Sequence, residues 1–478
     1  MASLVGQPAK TPKLVILISL TVAAFVSRFY GIWLWDLVGD ENFTAVFAHE
    51  RYKSFINPAY YSLVMAFYNI FGDDYWISRL PALIMSIISI PTLYFFWSRI
   101  IGRNAALFAA CILIFSAWHL WYSQFARHYM GVFLFASLAY YFFIAALTRD
   151  RTSDLVWALV FSLISMLFHA TAAWVPASSA IAYIAVFLLH RDSTKFSQRI
   201  VKLYLGICIL AALAVTPVLI NILNIWTIQG DTWGYGAILI VPQLVKYIQI
   251  PLVISGFFGW LLLIKQKSVL ATFLTFTIGT PILFLVIATP FMAISPAYAY
   301  YILPLIIILS GVACEEVRKN TSSSSVPLSF LAFVLILFSL LPSFASHYLE
   351  KTSLNFNSAV QFLEENYLQG DNMLVFPPGF HNKTSKQYET LPYIGFDRDS
   401  SKNWKAALDP ILKSGNRTWI VTSSKRQPLA PRLENWLLCN ARLIWQEQAK
   451  RIDYEVSGYQ IFLVTHHIDK SFNTTNCQ

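Results

Sequence analysis

About eleven times along its length this chain returns to an apolar run near 20 residues long, the length a helix needs to cross a bilayer's hydrocarbon layer. The runs centre on Leu14 to Trp35, Leu80 to Trp97, Ala105 to Trp121, Gly131 to Leu147, Leu155 to Phe168 and Thr171 to Leu189. They continue with Leu203 to Leu223, Tyr247 to Ile264, Val269 to Ile287, Tyr301 to Cys314 and Pro327 to Phe344. No water reaches backbone groups in hydrocarbon, so each run has to satisfy its own N–H and C=O groups, which leaves helices as the spanning element. The fold class expected is a polytopic α-helical membrane protein of about eleven spans. Composition agrees. With 56% hydrophobic and 13% charged residues and a mean hydropathy of +0.55, the chain is too apolar for a water-soluble globular protein. Its 16% aromatic content suits spans edged by interfacial belts.

The net charge of +10 does not point to nucleic acid. Met1 to Ala345 holds 20 Lys/Arg against 12 Asp/Glu, and Ser346 to Gln478 holds 15 against 13, so the surplus sits in the membrane half. There the positive-inside rule accounts for it. Lys10 and Lys13, Arg99 and Arg103, Arg149 and Arg151, Arg191 to Lys202, Lys265 and Lys267, and Arg318 and Lys319 fall on alternate linkers and total 14 Lys/Arg. The opposite short loops hold about five, Arg51, Lys53, Arg79, Arg127 and Lys246, so the first set is expected in the cytoplasm. This predicts a cytoplasmic segment 1–13, a transmembrane domain 14–345 with its first outer loop at 36–79, and an extracytoplasmic domain 346–478. The first span is expected to stay as an anchor, because Arg28, Phe29 and Tyr30 stand where a cleavage site would need small residues.

Pro58 to Phe71 is apolar but short for a span, and counting it would invert every later loop. It reads as an interfacial or re-entrant helix. Phe43, Val46, Phe47 and Glu50 recur at helical spacing, which predicts amphipathic helices on the outer surface. The tail reads as a small α/β domain: a helix over Asn357 to Tyr367, strands over Met373 to Phe376, Trp419 to Thr422 and Tyr459 to Val464, and a helix over Leu433 to Leu438. It has no nucleotide-binding glycine loop and no metal-ligand spacing. Cys111, Cys208 and Cys314 lie in apolar spans as small core residues. Cys439 and Cys477 lie in the polar tail, bonded to each other or free. No internal repeat or matched pair of halves is visible.

Two adjacent carboxylates, Asp40 and Glu41, follow the first span. Acids at an apolar boundary are costly to desolvate, and desolvation raises a carboxylate's pKa toward that of a general base. Asp36, Glu50, Asp73 and Asp74 read as solvated loop acids. A second constellation, Trp118 to Tyr129, carries Arg127, whose guanidinium fork matches phosphate oxygens in geometry and charge; pairing with a loop carboxylate is the alternative. His119 and His128 are candidates for titration or metal binding. Arg79 and Lys53 either meet an anionic head group or snorkel at the interface. Trp226 to Gly236, which includes Trp233, is either an aromatic belt with a turn or a sugar-stacking surface. His169, at a span end, reads as a hydrogen-bonded structural histidine. No cofactor is expected, and a divalent metal is left open.

The order of apolar span, Asp40-Glu41, Asn57-Pro58-Ala59-Tyr60-Tyr61, Gly72, Arg79-Leu80-Pro81-Ala82, Arg99 to Arg103 and Trp121-Tyr122-Ser123-Gln124-Phe125-Ala126-Arg127-His128-Tyr129 resembles the protein mannosyltransferase and aminoarabinose transferase superfamily. These are membrane glycosyltransferases of the GT-C fold. The resemblance is strong over about the first 150 residues. It implies a sugar taken from a polyprenyl phosphate carrier and passed, with inversion, to a lipid, protein or polysaccharide acceptor outside the cytoplasm, in contact with membrane lipids. By this resemblance Asp40 matches the catalytic aspartate with Glu41 beside it, and Arg127 matches the arginine near the carrier phosphate. Arg79 and Lys53 are further phosphate candidates. Tyr60, Tyr61, Tyr122, His128, Tyr129 and Trp233 are candidate substrate contacts. The chain departs from the family pattern at Ile56-Asn57-Pro58 in place of His-Pro-Pro, at Phe125 in place of Glu, and at Tyr300 in place of the Arg before Tyr-Leu-Leu-Pro. A transporter or flippase of a lipid-linked substrate and a noncatalytic binding subunit are the alternative functions.

Overall fold

The computed structural model describes residues 14–33, 41, 44, 48, 57–72, 74–190, 196–210, 237–266, 268–289, 294–320, 328–349, 356–376, 394–395, 408, 416–424, 431–450 and 456–464. The chain divides into two compact units. One comprises 1–30, 53–72 and 79–345, the other 31–52, 73–78 and 346–478.

The first unit is helical: α1 (Leu14–Phe29), α2 (Pro58–Phe71), α3 (Leu80–Ile101), α4 (Arg103–Phe115), α5 (Ala117–Ser123), α6 (Tyr129–Arg149), α7 (Thr152–Phe168) and α8 (Trp174–Leu189). Then come α9 (198–210), α10 (Ala237–Ile248), α11 (Ile250–Lys265), α12 (Val269–Ala288), α13 (Leu303–Asn320) and α14 (Leu328–Leu349). Ten of the expected spans fall on described helices; the run from Leu203 is helical to 210, beyond which it lies outside the described residues. Among the described residues, six helices are long and apolar enough to cross a membrane, or up to eight if each of two bent pairs is one span, and α1 and α7 are shorter apolar helices. The chain is a multi-pass integral membrane protein.

Burial sorts these helices. In α6 and in the span Pro296–Val317, 89% and 94% of the apolar window is buried, against 11% in Leu331–Leu349. The first two therefore form the centre of the bundle, whereas Leu335 and Phe338 of α14 present apolar side chains outward, as a lipid-facing helix must. Small residues set the closest approach. Ala105 and Ala109 of α4 face Gly311 of α13, where an added Cβ would meet the Ala105 carbonyl oxygen. Membrane helices pack through such small-residue seams because lipid supplies no hydrophobic drive between them. Gly311→Ala is expected to lower the thermal midpoint of the purified protein in detergent, at a cost of about 1–3 kcal/mol for overpacking two backbones.

Two spans are broken. The α4–α5 break, at Ser116, bends the chain by 62°, and the α10–α11 break, at Gln249, bends it by 91°. Gln249 has φ +78°, a left-handed conformation uncommon outside glycine. One break serves the other: the Ala117 N–H, left without an intrahelical acceptor at the start of α5, donates to Gln249 Oε1 at 3.2 Å.

In the second unit, α15 (Phe356–Asn366) and α16 (Pro431–Asn440) accompany a five-stranded sheet of β1 (Asn372–Phe376), β2 (Ile394–Gly395), β3 (Thr418–Ser424), β4 (Arg442–Lys450) and β5 (Val456–Val464). The strand order is β2-β1-β3-β5-β4. β1 runs parallel to β2 and β3, and β5 runs antiparallel to β3 and β4. α15 lays Ala359 and Leu363 on Met373, Trp419, Val421 and Ile461. Asp371 ties helix to sheet: it accepts from Arg417 Nε at 3.0 Å and Nη2 at 2.6 Å, from Trp419 Nε1 at 2.8 Å and from the Leu368 N–H at 3.0 Å. The helices and the strands over 373–376, 419–422 and 459–464 lie where the sequence puts them; β4 and the two-residue β2 are additional. β4 (RLIWQEQAK) is half polar and breaks its register between Leu443 and Trp445, which hides the period-two pattern. Glu41, Thr44 and Ala48 are helical and buried. Cys439 is disulfide-bonded, Cys111, Cys208 and Cys314 are free, and Cys477 lies outside the described residues.

Candidate functional site

The α4–α5 break generates polarity inside the first unit. Breaking a helix frees carbonyls at its C-terminal end, where the peptide dipoles favour a cation. Arg28 supplies it from the last turn of α1. Its guanidinium donates to Ile114 O at 2.7 Å, Leu113 O at 3.0 Å, Ser27 Oγ at 2.7 Å and His119 Nδ1 at 3.2 Å, and the residue is fully buried. A guanidinium has no acceptor, so His119 Nδ1 receives and Nε2 carries the ring proton. Nε2 then donates to Ser89 Oγ at 3.0 Å, and Ser89 donates to Ser86 O at 2.7 Å. Hydrogen bonds run in one direction from α1 through α5 to α3. His119, a metal or titration candidate by sequence, is committed on both nitrogens.

Beyond α5 a tight turn, Gln124 to His128, leads into α6. Arg127 lies on it, half-buried, its N–H directed at Phe125 O at 2.6 Å. An aromatic cage flanks the turn. Tyr122 stacks on Tyr129 with centroids 4.0 Å apart and meets Tyr300 edge-on at 4.9 Å; Trp118 also meets Tyr300 at 4.9 Å. Phe125 stacks on Trp121 at 5.0 Å. Next to Arg127, His128 stacks on His169 at 4.1 Å with 9° between the planes, and His169 stacks on Tyr298 at 5.6 Å. The Thr171 N–H donates to His169 Nδ1, so that ring carries its proton on Nε2. His169 is thus hydrogen-bonded, as its place at a span end suggests, and its stacking ties the α7–α8 connection to the Arg127 turn.

Burial, then His169, then the Arg127 charge hold His128 well below the usual imidazole range. Burial and Arg127 push His169 down to about 3. Both rings are neutral at physiological pH. An imidazole depressed in the fold contributes stability above its unfolded pKa of about 6.5 and loses it as pH falls toward the folded value. Unfolding free energy is therefore expected to fall as pH drops from 7 to 5, by up to about 1.4 kcal/mol per pH unit for each ring below 6.5, and a lowered thermal midpoint reads it out. His169→Phe, which keeps a ring in the stack but cannot titrate, should flatten that slope.

The candidate residues fall as follows. Tyr122, His128 and Tyr129 are buried together around the Arg127 turn. Tyr60 and Tyr61 are buried on α2, and Arg79 is buried where the 3-10 turn Tyr75–Arg79 meets α3. Glu41 is buried in the second unit. Asp40, Lys53 and Trp233 lie outside the described residues. Tyr300, where the resemblance implies an arginine, is a fully buried cage member whose hydroxyl faces Met130 Sδ at 3.4 Å. Sequence reasoning missed Arg28 as a buried cation. The available cue was an arginine inside the first apolar run, where a charge needs a partner. Among the described residues no group of three or more His, Cys, Asp or Glu is placed to hold a metal ion.

A helical membrane bundle with broken spans, an arginine on a turn among stacked rings and a separate α/β unit has the GT-C fold of membrane glycosyltransferases. ArnT from Cupriavidus metallidurans in the apo state matches with TM-score 0.58 at 13% identity over 94% of this chain and 97% of that one. The same protein bound to undecaprenyl phosphate matches with TM-score 0.52 at 14% identity over the same shares. The Archaeoglobus fulgidus oligosaccharyltransferase, in a complex with Zn and sulfate, matches with TM-score 0.54 at 13% identity over 85% of this chain and 68% of that one. Residues 57–221 match the family model of dolichyl-phosphate-mannose-protein mannosyltransferase, so the resemblance read from the residues is borne out. No curated protein sequence matches the chain.

Proposed function

We propose that the chain is a glycosyltransferase that moves a sugar from a polyprenyl phosphate carrier to an acceptor hydroxyl outside the cytoplasm, with inversion. One observation carries this reading: in a GT-C fold, the turn between α5 and α6 presents a half-buried Arg127 beside two stacked neutral imidazoles. The departing carrier phosphate gains charge as the sugar leaves, and a preorganised cation in a partly desolvated site stabilises that charge. Arg127 takes this role, with the Tyr122–Tyr129 cage as the apolar wall for the sugar or the first carrier units. The acceptor proton goes to Asp40, an assignment that rests on the sequence resemblance. The acceptor is a lipid, protein or polysaccharide. Eleven spans, a cytoplasmic N-terminus and an outer C-terminal domain belong to the same reading.

The broken spans and the buried Arg28 favour a second reading, a transporter, because transporters place ionisable groups on broken helices. Against it, the Arg28 guanidinium is already engaged by two carbonyls, a hydroxyl and an imidazole, which suits a structural cap better than a moving ligand site. Mass spectrometry of glycolipids and glycoproteins from cells with and without the chain decides between them. A glycan missing only in the deletion supports the transferase. An unchanged glycan product, with a lipid-linked sugar moved across vesicles by the purified protein, supports the transporter.

A further inference from the structure

The turn that carries Arg127 is closed on itself by the Tyr122–Tyr129 stack, which shapes the turn but does not orient it in the bundle. Orientation comes from other elements. At its start, the Gln124 carboxamide donates to Arg28 O and Tyr30 O at the end of α1, each at 2.7 Å. At its end stands His128, whose carbonyl accepts from the Val132 N–H in the first turn of α6 and whose ring meets His169. His169 stacks on His128 at 4.1 Å and on Tyr298 at 5.6 Å. Tyr298 belongs to the 3-10 turn Pro296–Ile302, which also gives Tyr300 to the aromatic cage. The His169 ring is fixed in its own plane by Thr171, whose Oγ1 and N–H lie 2.7 and 3.3 Å from Nδ1. The backbone behind it is fixed by a close seam between α6 and α7. A Cβ on Gly131 would collide with the Phe168 ring, and Ser165 Oγ donates to Val132 O at 3.3 Å. Both imidazoles feel the Arg127 charge, so the guanidinium stands near the stack.

We propose that His169 is a positioning residue for Arg127: through its stack on His128 it orients the turn that presents the guanidinium to the carrier phosphate. The inference rests on the glycosyl-transfer reading above, in which Arg127 takes that phosphate. A guanidinium fork engages two oxygens only when it is aimed at them, and a cation already in place needs no reorganisation when charge develops. A flat ring stacked face to face sets its partner's distance and plane, which an aliphatic side chain of similar volume does not. Histidine adds the acceptor nitrogen that lets Thr171 hold the ring against rotation.

Titration of purified full-length protein with undecaprenyl phosphate tests this. His169→Leu keeps an apolar side chain of similar size but removes the flat face and the acceptor, and carrier affinity should fall about 5- to 10-fold. His169→Phe returns a flat ring and should recover affinity to within about threefold of wild type. A general loss of structure would add to the effect of removing Arg127, whereas residues acting through one group are non-additive. In an Arg127→Gln background, His169→Leu should therefore change affinity by less than about twofold. Wild-type affinity in His169→Leu, failure of His169→Phe to recover it, or an undiminished further loss in the Arg127→Gln background overturns the inference. If His169→Leu is not recovered folded, Thr171→Val decides, since it removes the hydroxyl at nearly constant shape. A loss of about threefold that vanishes with Arg127→Gln supports the inference, and unchanged affinity overturns it. If wild-type protein does not bind undecaprenyl phosphate, or Arg127→Gln binds it equally well, the phosphate role of Arg127 fails first and the inference falls with it. That outcome is read without any change at His169.

Discussion

Asp40→Asn is expected to abolish the glycan that marks the presence of this chain, with protein level and membrane insertion unchanged. Asparagine matches aspartate in shape and retains a carbonyl oxygen, but it cannot accept the acceptor's proton. General-base contributions of this kind amount to about 10²–10⁴ in rate, beyond what slow background turnover would conceal in a cell. Glu41 provides the internal comparison. It is buried in the second unit and takes part in an interaction, and breaking a buried charged pair costs stability before it costs chemistry. Glu41→Gln should therefore reduce transfer less than Asp40→Asn in the same cells. Full transfer by Asp40→Asn would remove the base assignment, and abolition by Glu41→Gln alone would move the role one residue along.

The helical bundle was legible because a 20-residue apolar run has few alternatives in a membrane, and each expected run is helical over most of its described length. Its breaks were not. At Gln249 the local cue is Pro251 in the first turn of α11, but Ser116 has neither proline nor glycine at its bend, and what stabilises that break comes from elsewhere: Arg28 for the carbonyls at the end of α4, Gln249 for the Ala117 N–H. Such partnerships are long-range and leave no local pattern. The same holds for the site. Arg127 could be singled out as one of few cations on its face. His169 lies 41 positions from His128, and only the packing of the α7–α8 connection against the Arg127 turn stacks the two rings. Phe125 and Tyr300 are two of the positions at which the chain departs from the pattern the resemblance implies. In the fold both belong to the aromatic cage, Phe125 against Trp121 and Tyr300 between Trp118 and Tyr122, so they contribute to an apolar wall.

That wall raises the importance of the one cation on the turn, and Arg127→Gln is the second large effect expected. Glutamine keeps a hydrogen-bonding end of moderate length but has neither the charge nor the fork that engages two phosphate oxygens. Hydrogen bonds to charged groups contribute about 1.5–3 kcal/mol, and each 1.4 kcal/mol is about tenfold in a binding constant. Undecaprenyl phosphate should therefore bind about 10- to 100-fold more weakly to purified Arg127→Gln protein. Arg127→Lys should fall between the two, because an ammonium restores charge without the bidentate geometry. Raising salt should weaken wild-type binding only modestly, since a half-buried cation is screened less than an exposed one. Transfer should fall further than binding does, because charge on the phosphate grows as the glycosidic bond breaks and the interaction is strongest at that point. Equal carrier affinity in wild type and Arg127→Gln would instead make Arg127 a structural partner of its own turn, and the search for the phosphate cation would pass to Arg79 and Lys53.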